Sequence, residues 1–229
     1  MKFTWLGHSG FRIEIGDQVL LLDPWITNPL FPAEKRAEAI TGATHILLSH
    51  GHFDHSGDTV ALAKELDIPV VGIFDLISYW EGAEGIKAIG FNKGGTVMLG
   101  DVAVTMVNAV HSSSVGTDHG PMYAGSEAGF VLNHGNRAVY FAGDTDVMMD
   151  MELIEDIHHP EIGILPVGGH FTMDIARAAY AANRFFNFKT LIPCHYKTFP
   201  LLAQEVDDLV QRLPNTNVVD PVIMETFAL

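Results

Sequence analysis

The stretch His50-Gly51-His52-Phe53-Asp54-His55 decides the fold of this chain, because it places three imidazoles and one carboxylate within six residues. An apolar run, Ile46-Leu47-Leu48-Ser49, leads directly into it. On a helix, side chains two residues apart would diverge by about 200° and could not share one ion. At a strand end or in an extended loop, the side chains of His50 and His52 face the same way and can converge.

Asp54 and His55 are adjacent, so their side chains point elsewhere and can serve a second ion. The segment therefore predicts ligands for two neighbouring metals, with the remaining ligands supplied from further along the chain. A solvated polar loop is the alternative interpretation. Histidine is too scarce, at 12 of 229 residues, for this grouping to arise readily by chance.

The size and charge of the chain narrow the classes of protein to which it can belong. Its 229 residues, 48% of them hydrophobic, suffice for one large or two small domains. A net charge of −15 argues against broad electrostatic binding of nucleic acid or of an acidic membrane. An anionic small-molecule substrate stays compatible, because two divalent ions would create a local positive site.

The single cysteine, Cys194, excludes an intrachain disulfide and is compatible with a reducing compartment. The first residues lack a basic region followed by an apolar stretch and a cleavage site. No apolar run reaches the length of a membrane span, about 18 residues. We therefore expect a cytoplasmic protein without a membrane span.

Strand and helix signals alternate along the whole chain, with glycines and prolines as turn punctuation. Strands are predicted at 2–6, 11–15, 19–22, 45–49, 68–73, 87–91, 96–99, 102–110, 129–132, 138–142, 161–166, 189–193 and 217–224, and helices at 33–40, 58–66, 75–81, 147–157, 172–187 and 201–212. Residues 112–126 are predicted to form a rim loop. Two similar halves, near 1–85 and 86–229, suggest two sheets packed face to face with helices outside, within one domain over 1–229.

Three further ligand candidates follow predicted strands directly. His111 comes after the strand 102–110, Asp144 after the strand 138–142, and His195 after the strand 189–193. Sites in α/β proteins usually lie at the carboxyl ends of strands, and His50 occupies an equivalent place. A dinuclear hydrolytic site needs about six or seven ligands, including a carboxylate able to bridge.

This motif set, His-x-His-x-Asp-His, then His111, Gly143-Asp144-Thr145 and His195, resembles the metallo-β-lactamase-fold hydrolase superfamily. Further segments of the sequence resemble one branch of this superfamily, its small "metal-dependent hydrolase" family of unassigned substrate. That family is related to the ascorbate-phosphate lactonase type. The segments that carry this second resemblance are Trp5-Leu6-Gly7-His8-Ser9, Asp23-Pro24, residues 166–174 and residues 195–200.

The resemblance implies an α/β fold, a four-layer αββα sandwich of two mixed β-sheets with helices on the outside. It also implies a ligand set: His50, His52 and His111 for the first metal, Asp54, His55 and His195 for the second, and Asp144 bridging the two. Common β-lactamases of this fold have a cysteine at the position of Asp144, so β-lactam hydrolysis is not favoured here.

Several other polar residues have open roles. His8 and His170 lie in glycine-flanked turns, where each is either a loop histidine bonded to backbone or a pocket residue that donates a proton to the leaving group. Asp23 either accepts a proton from a ligand imidazole or caps a turn. Asp174 is expected in the first turn of a helix. Lys197 and His119 stay unassigned.

The function expected from these residues and from the resemblance is hydrolysis by a metal-bridging hydroxide that Asp54 and Asp144 orient. Zinc is the favoured metal, with manganese or iron as alternatives. The substrate is expected to be a small, anionic ester, lactone, phosphoester or phosphodiester, with a lactone or carboxylic ester ranked first. Competing hypotheses are an iron-dependent redox enzyme on the same fold and a metal-stabilised binding protein without turnover. Apolar residues near Trp25 and Phe31 suggest a lid or a homo-oligomer interface.

Overall fold

The first sheet has seven strands in the computed structural model, which describes residues 1–229. Its order is β16-β1-β2-β3-β4-β5-β6. These strands are β1 (Lys2–Gly7), β2 (Gly10–Ile15), β3 (Gln18–Leu22), β4 (His45–Leu48), β5 (Val70–Ile73), β6 (Ala88–Phe91) and β16 (Thr226–Ala228). β1 to β3 are antiparallel, whereas β3 to β6 run parallel. The parallel strands are almost continuously apolar because both of their faces are covered.

The second sheet also has seven strands, in the order β15-β14-β13-β12-β11-β8-β7. These strands are β7 (Thr96–Leu99), β8 (Val102–Asn108), β11 (Ala128–His134), β12 (Arg137–Phe141), β13 (Ile162–Pro166), β14 (Thr190–Cys194) and β15 (Asn217–Val218). It again begins antiparallel and becomes parallel from β12 onwards. A separate hairpin is formed by β9 (Ser114–Thr117) and β10 (Gly120–Tyr123).

Seven helices connect the strands: α1 (Arg36–Ile40), α2 (Phe53–Ser56), α3 (Thr59–Leu66), α4 (Phe74–Glu84), α5 (Asp150–His158), α6 (Ile175–Phe185) and α7 (Asp207–Arg212). α6 buries four alanines on one face, Ala178, Ala179, Ala181 and Ala182. Asp174 caps this helix by accepting a hydrogen bond from the Arg177 backbone N–H at 2.8 Å. None of the helices combines the length and apolarity that crossing a membrane requires.

One hydrophobic core of 65 buried residues joins the two sheets. Phe91 on β6 stacks on Phe130 on β11, with ring centroids 6.3 Å apart, so the contact crosses from one sheet to the other. Trp5 on β1 stacks in the same way on Tyr196, which follows β14, at 5.1 Å. The expected sandwich of two mixed sheets flanked by helices is confirmed.

The structure differs from the predicted elements mainly in the second half of the chain. The expected rim loop contains the β9–β10 hairpin, and the helix expected over 201–212 is reduced to α7. Of the last predicted strand, 217–224, only β15 forms, and β16 begins beyond its end, at Thr226. β16 and β6 both belong to the first sheet, so the two sheets do not divide at residue 85. These pairings join distant residues, such as Phe3 and Phe227, and local sequence patterns do not report them.

The apolar segment after β3 also differs from its predicted role as an exposed lid or interface. Trp25, Ile26 and Phe31 are each no more than 9% exposed. Asn28 holds this turn in place, because its side-chain amide donates to the Leu6 and Trp25 carbonyl oxygens at 2.9 and 2.6 Å. The segment is therefore interior packing beneath the site.

Candidate metal centre

The carboxyl ends of strands from both sheets meet at one edge of the sandwich. β4 leads to His50, β8 to His111, β12 to Asp144 and β14 to His195. His195 adopts a φ of 56°, in the left-handed region that is unfavourable for residues other than glycine. His8 and Asp23, which follow β1 and β3, have φ values of 51° and 41°. Such strained backbone at a strand end is typical of functional sites.

Three histidines form the first cluster. His50, His52 and His111 each offer a ring nitrogen, and these atoms all lie within 4.8 Å of one another. His50 Nε2 and His52 Nδ1 are 2.9 Å apart. His52 precedes α2 in extended backbone, with φ −61° and ψ 146°, so its ring can turn back towards His50. The structure thus brings together the three residues that the sequence analysis assigned to one ion.

A second cluster contains Asp54, His55 and His195, together with His8, again with ligand atoms within 4.8 Å. Asp54 and His55 lie on the one-turn helix α2, not in the extended loop that the sequence suggested. His55 also lies beside the first cluster, because its ring centroid is 4.2 Å from that of His50. The fold therefore places residues of the motif in two adjacent candidate clusters.

Asp144 lies between the two clusters. Its Oδ2 is 3.1 Å from His195 Nε2, 3.3 Å from His55 Nε2, 3.5 Å from His111 Nε2 and 4.0 Å from His50 Nε2. Rings from both clusters therefore converge on one buried carboxylate oxygen. This is the arrangement expected of a carboxylate that touches two cation positions.

Several buried polar atoms at this point have no hydrogen-bond partner in the protein: His55 Nε2, His195 Nδ1, His195 Nε2 and Asp144 Oδ1. Leaving such atoms unpaired in the interior is costly, about 1–3 kcal/mol each. A bound cation would satisfy the Nε2 atoms and the carboxylate together. Five imidazoles with two carboxylates form a donor set that suits zinc. The residues present therefore fit divalent metal ions.

Asp23 fixes the orientation of two of these imidazoles. His55 Nδ1–H donates to Asp23 Oδ2 at 2.7 Å, and the Ser49 hydroxyl donates to the same oxygen at 2.5 Å. Because that hydroxyl proton is used, Ser49 Oγ accepts from His50 Nδ1–H at 2.9 Å. Both rings consequently carry a proton on Nδ1 and direct Nε2 towards Asp144, where a bound cation would take the place of any proton on Nε2. Of the two roles considered for Asp23, the structure supports the acceptor role.

His8 is buried beside the cluster and does not line the pocket. Burial, then the charge of His195, lowers the pKa of His8 to about 4, so the ring is neutral at neutral pH. Its Nε2–H donates to Asp54 Oδ2 at 3.0 Å, and its Nδ1 accepts from the Thr198 hydroxyl at 2.9 Å. Both nitrogens are therefore occupied. The prediction that His8 donates a proton to a leaving group is corrected: His8 orients Asp54.

The prediction that His170 donates a proton to the leaving group is also corrected. Its side chain is exposed, with its ring 4.5 Å from that of Phe171, and it does not line the pocket. Lys197 points away, since its Nζ lies 3.5 Å from Asp220 Oδ1 and 4.9 Å from the centre of the Tyr196 ring. His119 lies between β9 and β10, outside the pocket lining.

The buried charges are strongly coupled. Burial opposes ionisation of Asp144, but the imidazoles of His195 and His55 outweigh it and hold its pKa well below the usual range. Burial likewise opposes protonation of His55, yet Asp144 and Asp23 raise its pKa well above the usual range. In the metal-free protein a proton on His55 thus supplies positive charge between two carboxylates. A bound divalent cation would supply that charge in its place.

A cavity of about 600 Å³ opens above these residues. Its floor is polar and its mouth is apolar; the lining consists of His52, Phe53, Asp54, His111, Ser112, Asp144, Phe171, His195, Phe199, Pro200 and Leu201. Neither lysine nor arginine is among them. The pocket therefore offers no cationic side chain to the anionic substrate that the sequence analysis expected.

Sequence reasoning missed the supporting residues. The sequence pattern marks Ser49 only as the end of an apolar run and does not indicate that its hydroxyl links Asp23 to His50. Thr198 belongs to a motif that carried the family resemblance, but no role followed from it. Phe53, Phe171 and Leu201 gave no local signal at all, because their common opening is created by the packing of separate loops.

The fold and the site define a protein of the metallo-β-lactamase fold. The profile described as "Beta-lactamase superfamily domain" matches residues 2–195, which is most of the chain, so the chain belongs to this superfamily. It is 68% identical to a "UPF0173 metal-dependent hydrolase" of Dinoroseobacter shibae and 58% identical to one of Paracoccus denitrificans, with full coverage of each sequence. Within the superfamily it is therefore a UPF0173 metal-dependent hydrolase.

A solved structure supports the same assignment. The chain is similar to a metallo hydrolase from the hyperthermophilic archaeon Ignicoccus hospitalis, with 29% identity and a TM-score of 0.87. The similarity covers 100% of this chain and 98% of the archaeal one. The shared fold thus extends over the whole of this chain.

Proposed function

We propose that this protein is a dinuclear metal-dependent hydrolase of a small carboxylic ester or lactone. The observation that carries the proposal is the position of Asp144, whose Oδ2 lies within 4.0 Å of Nε2 atoms from both histidine clusters. His50, His52 and His111 would hold one ion, and Asp54, His55 and His195 the other. Zinc suits these ligands best, with manganese or iron as alternatives.

Bound divalent ions would lower the pKa of an attacking water and polarise the scissile carbonyl. Asp54 and Asp144 are the carboxylates in the pocket floor, and each is held ionised by the imidazoles around it. Asp54 can accept a proton from the attacking water, while His8 holds its other oxygen in place. Neither His8 nor His170 reaches the pocket to donate a proton. The proton that Asp54 takes from the water would therefore be passed to the leaving group.

A carbonyl substrate is favoured over a phosphoester by the pocket lining. Phosphate sites usually include arginine, lysine or backbone N–H groups that neutralise the phosphate oxygens. This lining has no lysine or arginine, and Ser112 is its only hydroxyl. The cavity of about 600 Å³ has the size of a small-molecule site.

The test combines metal content with turnover. We expect protein purified without added metal to hold two zinc or manganese ions per chain by elemental mass spectrometry, and to hydrolyse p-nitrophenyl acetate or a γ-lactone. Asp144→Asn should lower activity by at least about 100-fold and reduce metal content, because a key ligand is lost. His119→Ala, which changes a histidine outside the pocket, is the matched control. Full activity of Asp144→Asn, or turnover with one ion per chain, would contradict the proposal.

A further inference from the structure

The mouth of the active-site cavity is made of large apolar side chains that are open to solvent. Phe53, Phe171 and Leu201 are 66%, 48% and 63% exposed, yet all three line the same cavity. Phe199 and Pro200 complete this wall. Exposed apolar side chains that converge on one opening mark a binding surface, whereas the same residues scattered singly would not. We call Phe53, Phe171, Phe199, Pro200 and Leu201 the apolar rim.

Part of the apolar rim is anchored in the structure beneath it. The Phe53 ring meets Trp25 edge-on, with centroids 5.6 Å apart, and the Phe199 ring lies 6.0 Å from the same indole. Trp25 is nearly buried and contacts the His8 ring at 5.5 Å. The rim is thus continuous with the residues that orient Asp54. A preformed wall of this kind binds an apolar group at a low cost in conformational entropy.

The charge around the pocket also disfavours anionic ligands. No lysine or arginine lines it, and the nearby Lys197 is engaged by Asp220. The chain as a whole has a net charge of −15, which repels anions approaching from solvent. A carboxylate on the distal end of a substrate would therefore lose its hydration against phenylalanine and leucine without gaining a counter-charge.

We infer that the pocket selects neutral carboxylic esters or lactones that carry an aromatic or medium-length alkyl group. This inference rests on the hydrolase function proposed above. The scissile carbonyl lies over the floor formed by Asp54 and Asp144, and the apolar group lies against the apolar rim. Water adds to the acyl carbon, the acyl C–O bond breaks, one proton passes to the departing alcohol oxygen, and the carboxylic acid releases its own proton to solvent.

The first test is a series of p-nitrophenyl esters with the metal-loaded protein. We expect kcat/KM to rise by up to about fourfold for each added methylene from acetate to octanoate, the gain for full burial of a CH₂ group. A mono-p-nitrophenyl ester that ends in a carboxylate should react at least about tenfold more slowly than the neutral ester of equal length. A flat profile, or a preference for the carboxylate, would overturn the inference.

Variants separate the apolar rim from general effects on catalysis. Phe171→Ser and Leu201→Ser should lower the ratio of octanoate to acetate turnover by about tenfold, since each removes a large apolar contact. Leu153→Ser is the matched control, because Leu153 is 59% exposed on α5 and does not line this cavity. Equal ratios in all three variants would contradict the inference.

Binding of N-phenylnaphthylamine, a neutral fluorescent probe, tests the rim without turnover. We expect the metal-loaded protein to bind it, with affinity reduced about tenfold by Phe171→Ser and unchanged by Leu153→Ser. If esters are hydrolysed but the probe binds all variants equally, the apolar-substrate inference fails and the hydrolase proposal stands. If the probe binds at the rim and no ester or lactone is hydrolysed, the apolar pocket stands and the hydrolase proposal fails.

Discussion

Asp23 orients two candidate metal ligands, His55 directly and His50 through Ser49. It accepts hydrogen bonds from the Ser49 backbone N–H, the Ser49 hydroxyl and His55 Nδ1, at 2.5 to 2.7 Å. An asparagine offers one acceptor oxygen in place of two, and its amide would face donors. We expect Asp23→Asn to lower metal affinity by about 10–100-fold while the fold persists, as for other partners of metal ligands.

Competition with a chromophoric chelator measures that affinity. Asp101→Asn is a suitable control, because Asp101 is an exposed aspartate that pairs with His134. An unchanged affinity in Asp23→Asn would show that the tautomers of His50 and His55 are set by something other than this carboxylate.

His8 and His170 have different environments in the structure, buried and exposed respectively, although their sequence settings look alike. We expect His8→Ala to lower activity by about 10–100-fold and to weaken the second metal position, because Asp54 loses its hydrogen-bond donor. Thr198→Val, which removes only the donor to His8 Nδ1, should act in the same direction with a smaller effect. His170→Ala should leave kcat/KM nearly unchanged. Steady-state kinetics and metal analysis measure these effects. A loss of activity in His170→Ala equal to that in His8→Ala would support the predicted catalytic role of His170.

The parallel pair β13 and β14 brings two loops unusually close at its carboxyl end. A Cβ added to Gly168, just beyond β13, would lie 1.9 Å from the His195 carbonyl oxygen. We expect Gly168→Ala to displace His195, to reduce metal content, and to lower the free energy of unfolding by about 1–3 kcal/mol, the usual cost of overpacking.

Urea unfolding and elemental analysis measure both effects of that substitution. Gly82→Ala is the matched control, since Gly82 lies in the last turn of α4 and a Cβ there meets nothing within 4 Å. It should raise the free energy of unfolding by about 0.5–1 kcal/mol through helix propensity. Normal metal content in Gly168→Ala would mean that the loop carrying His195 can shift without cost to the site.

Metal binding should stabilise the whole folded molecule, because it would satisfy the buried, unpaired atoms of the candidate site. At free metal about 100 times Kd, binding to the folded state adds about 2.7 kcal/mol to the free energy of unfolding. For a chain of this size that gain corresponds to a rise in Tm of about 5–10 °C. Differential scanning fluorimetry with and without a chelator measures it. An identical Tm in both conditions would argue against a resident metal.

Acid should destabilise the metal-free molecule over a defined range of pH. The pKa of His8 is lowered to about 4 and that of His50 well below its usual value, in both cases mainly by burial. Between about pH 6.5 and 4 the unfolded chain therefore binds protons that the folded chain excludes, so the free energy of unfolding falls as pH falls. His55 does not oppose this change, because its raised pKa makes its stabilising contribution complete below about pH 6.5.

Below about pH 4 the loss continues, because Asp54 and Asp144 have lowered pKa values and their stabilising ionisation is lost as pH falls further. Tm in the presence of a chelator should thus decrease steadily from pH 7 to pH 4. A Tm that rises or stays constant over this range would contradict the assignment of buried, neutral imidazoles.

Much of this protein follows from its sequence alone. Alternating and continuous apolar runs predicted most strands, and Gly16-Asp17 marked the two-residue loop between β2 and β3. The seven candidate ligands could be found because each lies in a compact motif or directly after an apolar strand. Strand ends of the same direction meet at one edge of a sheet, so that position along the chain already implies proximity in space.

Only the tertiary structure decided which residues support those ligands and which form the pocket. His8 and Thr198 are 190 residues apart in the chain and hydrogen-bonded in the fold. β16 pairs with β1 across almost the full length of the chain, and the apolar rim combines residues from three separate segments. Chemical type and local spacing are written in the sequence, but long-range contacts depend on the packing of the two sheets. The candidate metal ligands could therefore be predicted from the chain, whereas the surroundings of His8 and His170 and the apolar lining of the cavity could not.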